Sequence, residues 1–347
     1  MTCGPTSVRC GPASAPSRYG ARVLSARLTP FALAALACLF AACDRHKPEP
    51  SPPPTSPPSP AAPFDPGSLG VAQPSPERLV AIGDLHGDLD ATRRAFRLAG
   101  AIDDKDAWIG GKLVVVQTGD AIDRGDDDRA ILDLLEKLKG EAEKAGGKLV
   151  ALSGNHEIMN AVFDFRYVTE GSFKSFRDVS SSAFAAPGVS ESQRGRAAAF
   201  APGGAYATMI ASRPLVARVG DSIFVHGGVL PKHVRYGLDR INDGTRKWLL
   251  KQASSPPAVV NAEDGPLWTR MYSAAPGREE CKALEEALEL LHAKRMVMGH
   301  TVQKPGIQPA CDKRAWRIDV GLARYYGGPT QVLEIKGDEV KVLDAAK

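Results

Sequence analysis

Five short clusters of glycine with aspartate, asparagine or histidine recur along the chain, and each directly follows an apolar run typical of a buried strand. Because the strand ends of an α/β sheet form the crevice where ligands bind, we expect clusters at five strand ends to converge on one site. One such cluster would more often be a turn, but five in this arrangement are hard to explain by coincidence. The clusters are 83–88 (GDLHGD), 119–125 (GDAIDRG), 154–157 (GNHE), 226–228 (HGG) and 299–301 (GHT).

The side chains in these clusters indicate a metal site. Aspartate, asparagine and histidine offer oxygen and nitrogen donors, which suit Mn, Fe or Zn rather than a thiolate site. The glycines allow tight turns and a close approach of the backbone to whatever is bound.

Apolar and amphipathic runs alternate from Arg78 onward, which predicts an α/β domain. The segment 160–214 follows neither period, and we expect an irregular insertion lying over the sheet. The predicted strands are 79–83, 113–119, 149–154, 215–219, 223–226, 296–299, 316–320 and 331–335. The predicted helices are 89–98, 129–144, 233–251 and 278–294.

Residues 1–43 predict an export signal. Four arginines and no acidic residue precede the apolar run 31–42, which is shorter than the roughly 20 residues of a spanning helix. The run ends in LFAAC, which resembles a bacterial lipobox with Cys43 as the acylated residue; ordinary signal-peptidase cleavage is the alternative. These arginines account for the net charge of +4, so the rest of the chain is neutral. A neutral chain with 6% aromatic residues does not indicate a nucleic-acid binder.

Residues 44–76 predict a proline-rich tether, since 10 of the 19 residues in 48–66 are proline. A ligand for an SH3-type domain is the alternative function of this run. The folded domain then spans 77–347. We therefore expect an exported lipoprotein at the periplasmic face of the bacterial cell envelope, touching the membrane only through its lipid anchor.

The cysteines bear on the same question of compartment. Cys3, Cys10 and Cys38 would leave with the leader and Cys43 would carry lipid, so only two cysteines remain in the domain. Disulfides persist in exported proteins, which predicts a bond between Cys281 and Cys311. Two unpaired thiols are the alternative.

In order and wording, the five clusters resemble the signature of the calcineurin-like metallophosphoesterases, and within them the phosphoprotein phosphatase group. The resemblance is sharper to the bacterial Shewanella-like protein phosphatases, in 154–160 (GNHEIMN), 265–270 (GPLWTR), 295–303 (RMVMGHTVQ) and 316–321 (WRIDVG). It covers nearly all of 77–347. It implies an α/β fold of two stacked mixed β-sheets flanked by helices, in a single catalytic domain.

The same resemblance implies two divalent metal ions, Mn, Fe or Zn. Asp84 and His86 would hold the first metal, and Asp120 would bridge both. The ligands completing the second would be Asn155, His226 and His300.

The resemblance also implies four catalytic residues. Arg124 and Arg270 would grip the phosphate oxygens, because a guanidinium can hold two of them at once. His156 would be the general acid, with Asp123 hydrogen-bonded behind it. The alternatives are a local salt bridge between Asp123 and Arg124, and a surface position for Arg270.

The remaining acidic residues in and beside the clusters are not expected to bind metal themselves. Asp88 and Glu157 are expected to orient metal ligands. The acids that follow Gly125 lie at a predicted helix start, where the helix dipole explains them better than a metal does. These acids are Asp126, Asp127 and Asp128.

The sequence therefore predicts an exported dinuclear-metal phosphatase that hydrolyses phosphate monoesters by in-line attack of a metal-bridging hydroxide. The expected substrate is a phosphorylated protein or peptide, with phosphotyrosine favoured, and a monomer is expected. A nucleotide or diadenosine-polyphosphate hydrolase with the same metal core is the alternative. A binding module or a structural lipoprotein would have no use for the complete ligand set.

Overall fold

The computed structural model describes residues 74–179 and 186–345. The predicted signal peptide 1–43, residues 44–73 of the predicted tether and residues 180–185 of the insertion lie outside the described residues. Among the described residues, every helix is too short or too polar to cross a bilayer.

The strands and helices of the described residues alternate along most of the chain. The strands are β1 (Leu79–Ile82), β2 (Val114–Gln117), β3 (Lys148–Ala151), β4 (Val216–Val219), β5 (Ser222–Val225), β6 (Arg295–Met298), β7 (Gln308–Ala310), β8 (Ala315–Arg317), β9 (Gln331–Lys336) and β10 (Glu339–Asp344). The helices are α1 (Leu89–Leu98), α2 (Asp128–Lys144), α3 (Asn155–Ala161), α4 (Glu170–Ser175), α5 (Arg194–Phe200), α6 (Ala205–Ile210), α7 (Pro231–Tyr236), α8 (Leu238–Leu249) and α9 (Arg278–Leu290).

Two mixed sheets form the domain. The first has the order β10–β9–β1–β2–β3, in which β1, β2 and β3 are parallel, β9 is antiparallel to β1, and β10 is antiparallel to β9. The second has the order β4–β5–β6–β8–β7, with β5, β6 and β8 parallel. Buried residues of both sheets belong to one hydrophobic core. The predicted fold, two mixed sheets flanked by helices in a single domain, is confirmed.

The parallel strands bring the five clusters together. β1 (LVAI) and β2 (VVVQ) are buried along their whole length, as expected for strands covered on both faces. β1, β2, β3, β5 and β6 each end within three residues of a cluster. Parallel neighbours point their carboxyl ends the same way, so within each sheet the clusters lie along one edge.

Some predicted elements differ from the structure. The predicted helix 233–251 is two helices, α7 and α8, because Gly237 between them has a φ of 105°. The strand β7 was not predicted, since it has three residues and contains Pro309 at the edge of its sheet, where proline is tolerated. The strand β10 was also missed; it is the outer, partly exposed partner of β9.

The expectation of an irregular segment at 160–214 is wrong for α4, α5 and α6. Each of these helices has six or seven residues, too few for a helical period to show in the sequence. They are held by an aromatic cluster in which the Phe176 ring lies 5.4 Å from Phe200 and 5.0 Å from Tyr206, both edge to face. These rings belong to the same hydrophobic core as the two sheets, so the segment is packed onto the domain.

The predicted disulfide is confirmed. It joins Cys281 on α9 to Cys311 in the turn between β7 and β8, with their Cα atoms 5.1 Å apart. The two cysteines are 30 residues apart in sequence, so the bond restricts a sizeable loop of the unfolded chain.

Replacing both cysteines, as Cys281→Ala/Cys311→Ala, is expected to lower the free energy of unfolding by about 3 kcal/mol. The corresponding fall in Tm is about 5–10 °C for a domain of this size. Thermal unfolding followed by circular dichroism measures it. Reductant should lower the Tm of the parent protein and leave that of the double variant unchanged; a reductant-insensitive parent would contradict the prediction.

Candidate metal centre

The loops after the parallel strands are bonded to one another through their backbones. The amides of Leu85 and His86 each donate to the carbonyl oxygen of Asp120 at 3.0 Å, which joins the loops after β1 and β2. In the second sheet, the amide of Gly299 donates to the carbonyl oxygen of His226 at 2.9 Å. The ligand-bearing loops are thus held before anything is bound.

The side chains on these loops converge, with Asp120 at the centre. Its Oδ2 atom lies 3.2 Å from Nε2 of His226 and 3.8 Å from Nε2 of His86. Nε2 of His226 in turn lies 2.8 Å from Oδ1 of Asn155 and 3.2 Å from Nδ1 of His300. All these side chains are buried.

The last of the six predicted ligands joins the same group. Oδ2 of Asp84 lies 3.8 Å from Nε2 of His86 and accepts the backbone amide of His300 at 3.1 Å. The structure therefore brings together all six side chains that the sequence singled out as ligands.

Two glycines of the clusters make room for the carboxylates. A Cβ atom on Gly154 would lie 2.1 Å from Oδ1 of Asp120, and one on Gly299 would lie 2.1 Å from Oδ1 of Asp84. Both distances are far inside van der Waals contact, so glycine is required at each position.

Several site residues adopt a left-handed backbone that non-glycine residues rarely use. Such a conformation costs roughly 1–3 kcal/mol per residue and is concentrated at functional sites. The residues and their φ angles are His86 (48°), Asp120 (53°), Asp123 (70°), Arg124 (72°) and His300 (67°). The fold therefore tolerates local backbone strain at residues whose side chains form the candidate site.

The electrostatics of the site fit a bound cation. Burial, reinforced by the charges of Asp319 and Asp120, raises the pKa of Asp84 well above its usual value. Burial likewise raises the pKa of Asp319 to about 6 and lowers that of His86 to about 4. Buried carboxylates that repel one another beside neutral imidazoles are a set of donors that a divalent cation would satisfy.

Two overlapping groups of buried side chains could each hold a metal ion, since their ligand atoms lie within 4.8 Å of one another. One is Asp120, His226 and His300, and the other is His86, Asp120 and His156. Asp120 belongs to both groups. His156, predicted as an acid rather than a ligand, is as near to Asp120 as His86 is, with its Nε2 atom 3.7 Å from Oδ2.

His156 also has a carboxylate behind it. Its Nδ1 atom lies 2.7 Å from Oδ2 of Asp123, and both side chains are buried. Burial acts to lower the pKa of His156, but the charge of Asp120 and the hydrogen bond to Asp123 outweigh it and raise the pKa to about 9. The pair has the arrangement of a histidine held ready to carry a proton.

Arg124 lies between two tyrosine rings at the mouth of the site. Its guanidinium carbon is 3.8 Å from the ring centre of Tyr167 and 4.9 Å from that of Tyr325. Its Nη1 atom donates to the Tyr325 hydroxyl at 3.2 Å. The alternative of a local salt bridge with Asp123 is wrong, because Asp123 is paired with Arg196 instead.

A cavity of about 450 Å³ opens beside Arg124, and His86 reaches its wall. The other charged or aromatic residues that line it are Asp88, Asp126, Asp127, Arg324 and Tyr325. Tyr325 was not predicted from the sequence, which offers no local signal for it.

Arg270 lies against the loop after β6. Its Nη1 atom donates to the carbonyl oxygen of His300 at 2.6 Å and to Oγ1 of Thr301 at 2.8 Å. Arg270 itself is exposed. The structure thus places it beside one predicted ligand, with its guanidinium partly engaged by the backbone.

The supporting acids bind backbone rather than ligand side chains. Glu157 accepts the amides of Asp120 at 3.0 Å, Ala121 at 2.9 Å and Gly154 at 2.7 Å, so it ties the loop after β2 to that after β3. Asp88 caps α1 through the amide of Ala91 at 2.9 Å.

The dipole explanation is wrong for Asp128. Asp126 and Asp127 are exposed, but Asp128 is fully buried at the start of α2 and lies 2.8 Å from Nη2 of Arg196. Because a buried carboxylate needs a paired charge, this contact and not the helix dipole accounts for it. Arg196 was not predicted; it lies 73 residues from Asp123 in sequence.

Comparison with known proteins agrees with this geometry. The family model of the calcineurin-like phosphoesterases matches residues 77–304. The chain is 42% identical to Shewanella-like protein phosphatase 2 of Arabidopsis thaliana, with 80% of each protein covered. It is 29% identical to Shewanella-like protein phosphatase 1 of Plasmodium berghei, over 77% of this chain and 74% of that protein.

Solved structures share the fold. A cold-active protein-tyrosine phosphatase of a psychrophilic Shewanella species superposes with a TM-score of 0.64 at 22% identity, over 79% of this chain and 82% of that one. A serine/threonine phosphatase from Saccharomyces cerevisiae superposes with a TM-score of 0.52 at 16% identity, over 80% and 84%. By fold, sequence and site, the chain belongs to the calcineurin-like phosphoesterases, a family of metal-dependent phosphoester hydrolases, and within it to the Shewanella-like protein phosphatases.

Proposed function

We propose that the protein is a dinuclear-metal phosphatase that hydrolyses phosphate monoesters on phosphorylated protein side chains, with phosphotyrosine favoured. The observation that carries the proposal is the convergence of six buried donor side chains next to a cavity walled by Arg124. The protein phosphatase names of the relatives and of the structural neighbours support a phosphoprotein substrate.

The six donors divide into two overlapping sets. Asp84 and His86 belong to the first, Asp120 to both, and Asn155, His226 and His300 to the second. Two divalent cations, Mn, Fe or Zn, would supply Lewis-acid charge to the phosphoryl oxygens and an activated water. The pKa of His86 is lowered by burial, so its imidazole is neutral, which is the form that a cation needs.

Arg124 would bind the phosphoryl group. Its Nε atom is buried and, within the described residues, has no hydrogen-bond partner. The tyrosine rings on either side fix the plane of the guanidinium, and Arg124 lines the cavity in which a phosphate oxygen would bind. A monoester carries more negative charge than a diester, so a fixed guanidinium favours the monoester. Arg270, beside His300, is the second candidate for this role.

His156 would protonate the leaving oxygen. The Asp123 carboxylate accepts a hydrogen bond from Nδ1 of His156, which leaves Nε2 on the side of Asp120 and the metal ligands. An imidazole with a raised pKa is protonated at neutral pH and can donate. Asp123 keeps the ring in this orientation.

Aromatic rings at the mouth support an aryl phosphate. The ring of Tyr167 lies 5.0 Å from that of His156, and the ring of Tyr326 lies 5.2 Å from that of His86. Both rings flank the predicted reaction centre, and Tyr326, which is 36% exposed, offers a surface for a phenyl ester to pack on. This arrangement is the structural support for phosphotyrosine over phosphoserine.

Export of the protein remains part of the proposal. The signal and tether at 1–76 rest on sequence alone, and the disulfide between Cys281 and Cys311 supports an oxidising compartment. We propose a lipid-anchored monomer in the bacterial cell envelope.

The test compares initial rates of the Mn²⁺-loaded protein on three substrates: a phosphotyrosine peptide, the matched phosphoserine peptide and bis(p-nitrophenyl) phosphate. We expect kcat/KM to fall in that order. Preference for the diester, or for a nucleotide or diadenosine polyphosphate added as a fourth substrate, would replace the proposal by the nucleotide-hydrolase alternative. Equal rates on the two peptides would remove the tyrosine preference alone.

A further inference from the structure

A buried ionic network lies behind His156, on the side away from the metal ligands. Its centre is Arg196 on α5, whose side chain is fully buried. Nη2 donates to Oδ1 of Asp123 at 2.8 Å and lies 2.8 Å from Oδ2 of Asp128. Nε donates to Oδ1 of Asn160 at 2.7 Å, and Nη1 donates to Oγ of Ser172 at 2.6 Å.

The guanidinium is enclosed by aromatic rings. Its central carbon lies 4.9 Å from the ring centre of Phe200 and 5.2 Å from that of Phe176. A charge in such surroundings is costly unless it is paired and hydrogen-bonded. Here each of its three nitrogens has a partner, so the position of the guanidinium is closely determined.

The network leaves Asp123 one orientation. Oδ1 of Asp123 accepts from Arg196 and, at 3.1 Å, from Nδ2 of Asn160, whose own Oδ1 is held by the same guanidinium. Oδ2 is thereby turned to Nδ1 of His156 at 2.7 Å. The carboxylate cannot rotate without breaking the contact with Arg196.

We propose that Arg196 is a positioning residue that holds Asp123, and through it His156, in the geometry for proton donation to the leaving group. The inference rests on the proposed function of His156. It makes α5 part of the catalytic machinery, because the helix supplies the group that orients the acid.

A second arginine provides a matched control. Arg129 on α2 donates to the carbonyl oxygen of Ser175 at 2.7 Å and pairs with Asp178, so it ties the same segment to the domain. It is not among the partners of Asp123 or His156. An arginine that only anchors the segment should therefore behave like Arg129.

The experiment uses leaving groups that differ in their need for a proton. Phenyl phosphate releases a poor leaving group that needs protonation, whereas dinitrophenyl phosphate releases an anion that leaves unaided. For Arg196→Met we expect kcat on phenyl phosphate to fall by about 10²-fold and kcat on dinitrophenyl phosphate by less than about tenfold. Metal content and KM for dinitrophenyl phosphate should stay near the parent values.

Removing a buried charge partner can unfold a protein. The double variant Arg196→Met/Asp128→Asn removes one charge of each sign, so the network keeps its net charge while Asp123 loses its guanidinium. Its reference is Asp128→Asn alone, which keeps Arg196 on Asp123. Compared with Asp128→Asn, the double variant should again lose far more kcat on phenyl phosphate than on dinitrophenyl phosphate.

The outcomes separate the hypotheses. The positioning role is supported if Arg196→Met loses kcat on phenyl phosphate only and Arg129→Met does not. Combining Arg196→Met with His156→Asn should then lower kcat little further than His156→Asn alone. Equal losses on both substrates, or the small uniform effect expected of Arg129→Met, overturn it. If the parent protein hydrolyses neither monoester, the proposed function fails first, and that result is distinct from a failure of Arg196 alone.

Discussion

Asp120→Asn is expected to remove almost all phosphatase activity, at least about 10³-fold in kcat, because several kcal/mol of transition-state stabilisation would be lost. The reason is geometric. Oδ2 of Asp120 lies 3.2 Å from Nε2 of His226 and 3.8 Å from Nε2 of His86, so one carboxylate belongs to both groups of candidate ligands. An amide at this position keeps the shape but loses the charge that attracts the cations.

Two measurements on the purified protein test this: initial rates on a phosphotyrosine peptide, and metal content by mass spectrometry. Both should fall in Asp120→Asn. The control is Asp243→Asn, because Asp243 is an exposed carboxylate on α8 that pairs with Arg246 and Lys247. Normal metal content and turnover in Asp120→Asn would show that the six donors are not the metal centre.

His156→Asn is expected to lower kcat by about 10²–10⁴-fold while metal content stays near that of the parent protein. The variant removes the imidazole whose Nδ1 atom is held by Asp123 at 2.7 Å and whose Nε2 atom would supply the proton. The measurement also decides between two roles, since His86, Asp120 and His156 form a group that could itself hold a metal. A proportionate loss of metal would make His156 a ligand rather than the acid.

His292→Asn is the matched control for that variant. His292 is exposed just after α9 and has a φ of 47°, a conformation that asparagine tolerates well. The substitution is therefore chemically the same but lies outside the site. Activity in His292→Asn close to that of the parent protein, against a large loss in His156→Asn, assigns the effect to the site.

The metal-centre residues could be predicted because each follows a strand with a clear local pattern. Asp84 comes two residues after the end of β1 and Asp120 three residues after the end of β2, and buried parallel strands read as continuous apolar runs. Once these strands are neighbours, their carboxyl ends meet at one edge, and the side chains there are brought close together. The residue types then indicate the ligand chemistry.

The surroundings of these residues could not be predicted in the same way. Arg196 lies 73 residues from Asp123, and Tyr325 lies 201 residues from Arg124. Arg196 lies on α5, a helix of seven residues that is too short for a helical period to show in the sequence. Asp128 was assigned to the helix dipole for the same reason, since its partner is distant in sequence.

The sequence by itself predicted an α/β fold, a metal site at the strand ends and a disulfide between Cys281 and Cys311, and its resemblance to a known family supplied the individual donors. These depend on local features: strand runs, the residue types that follow them and the count of cysteines. Only the tertiary structure decided that Arg196 holds Asp123, that two tyrosines enclose Arg124, and that Glu157 joins two loops. Such pairings depend on how distant segments pack, and a buried charge takes as its partner whatever the packing brings within hydrogen-bond distance.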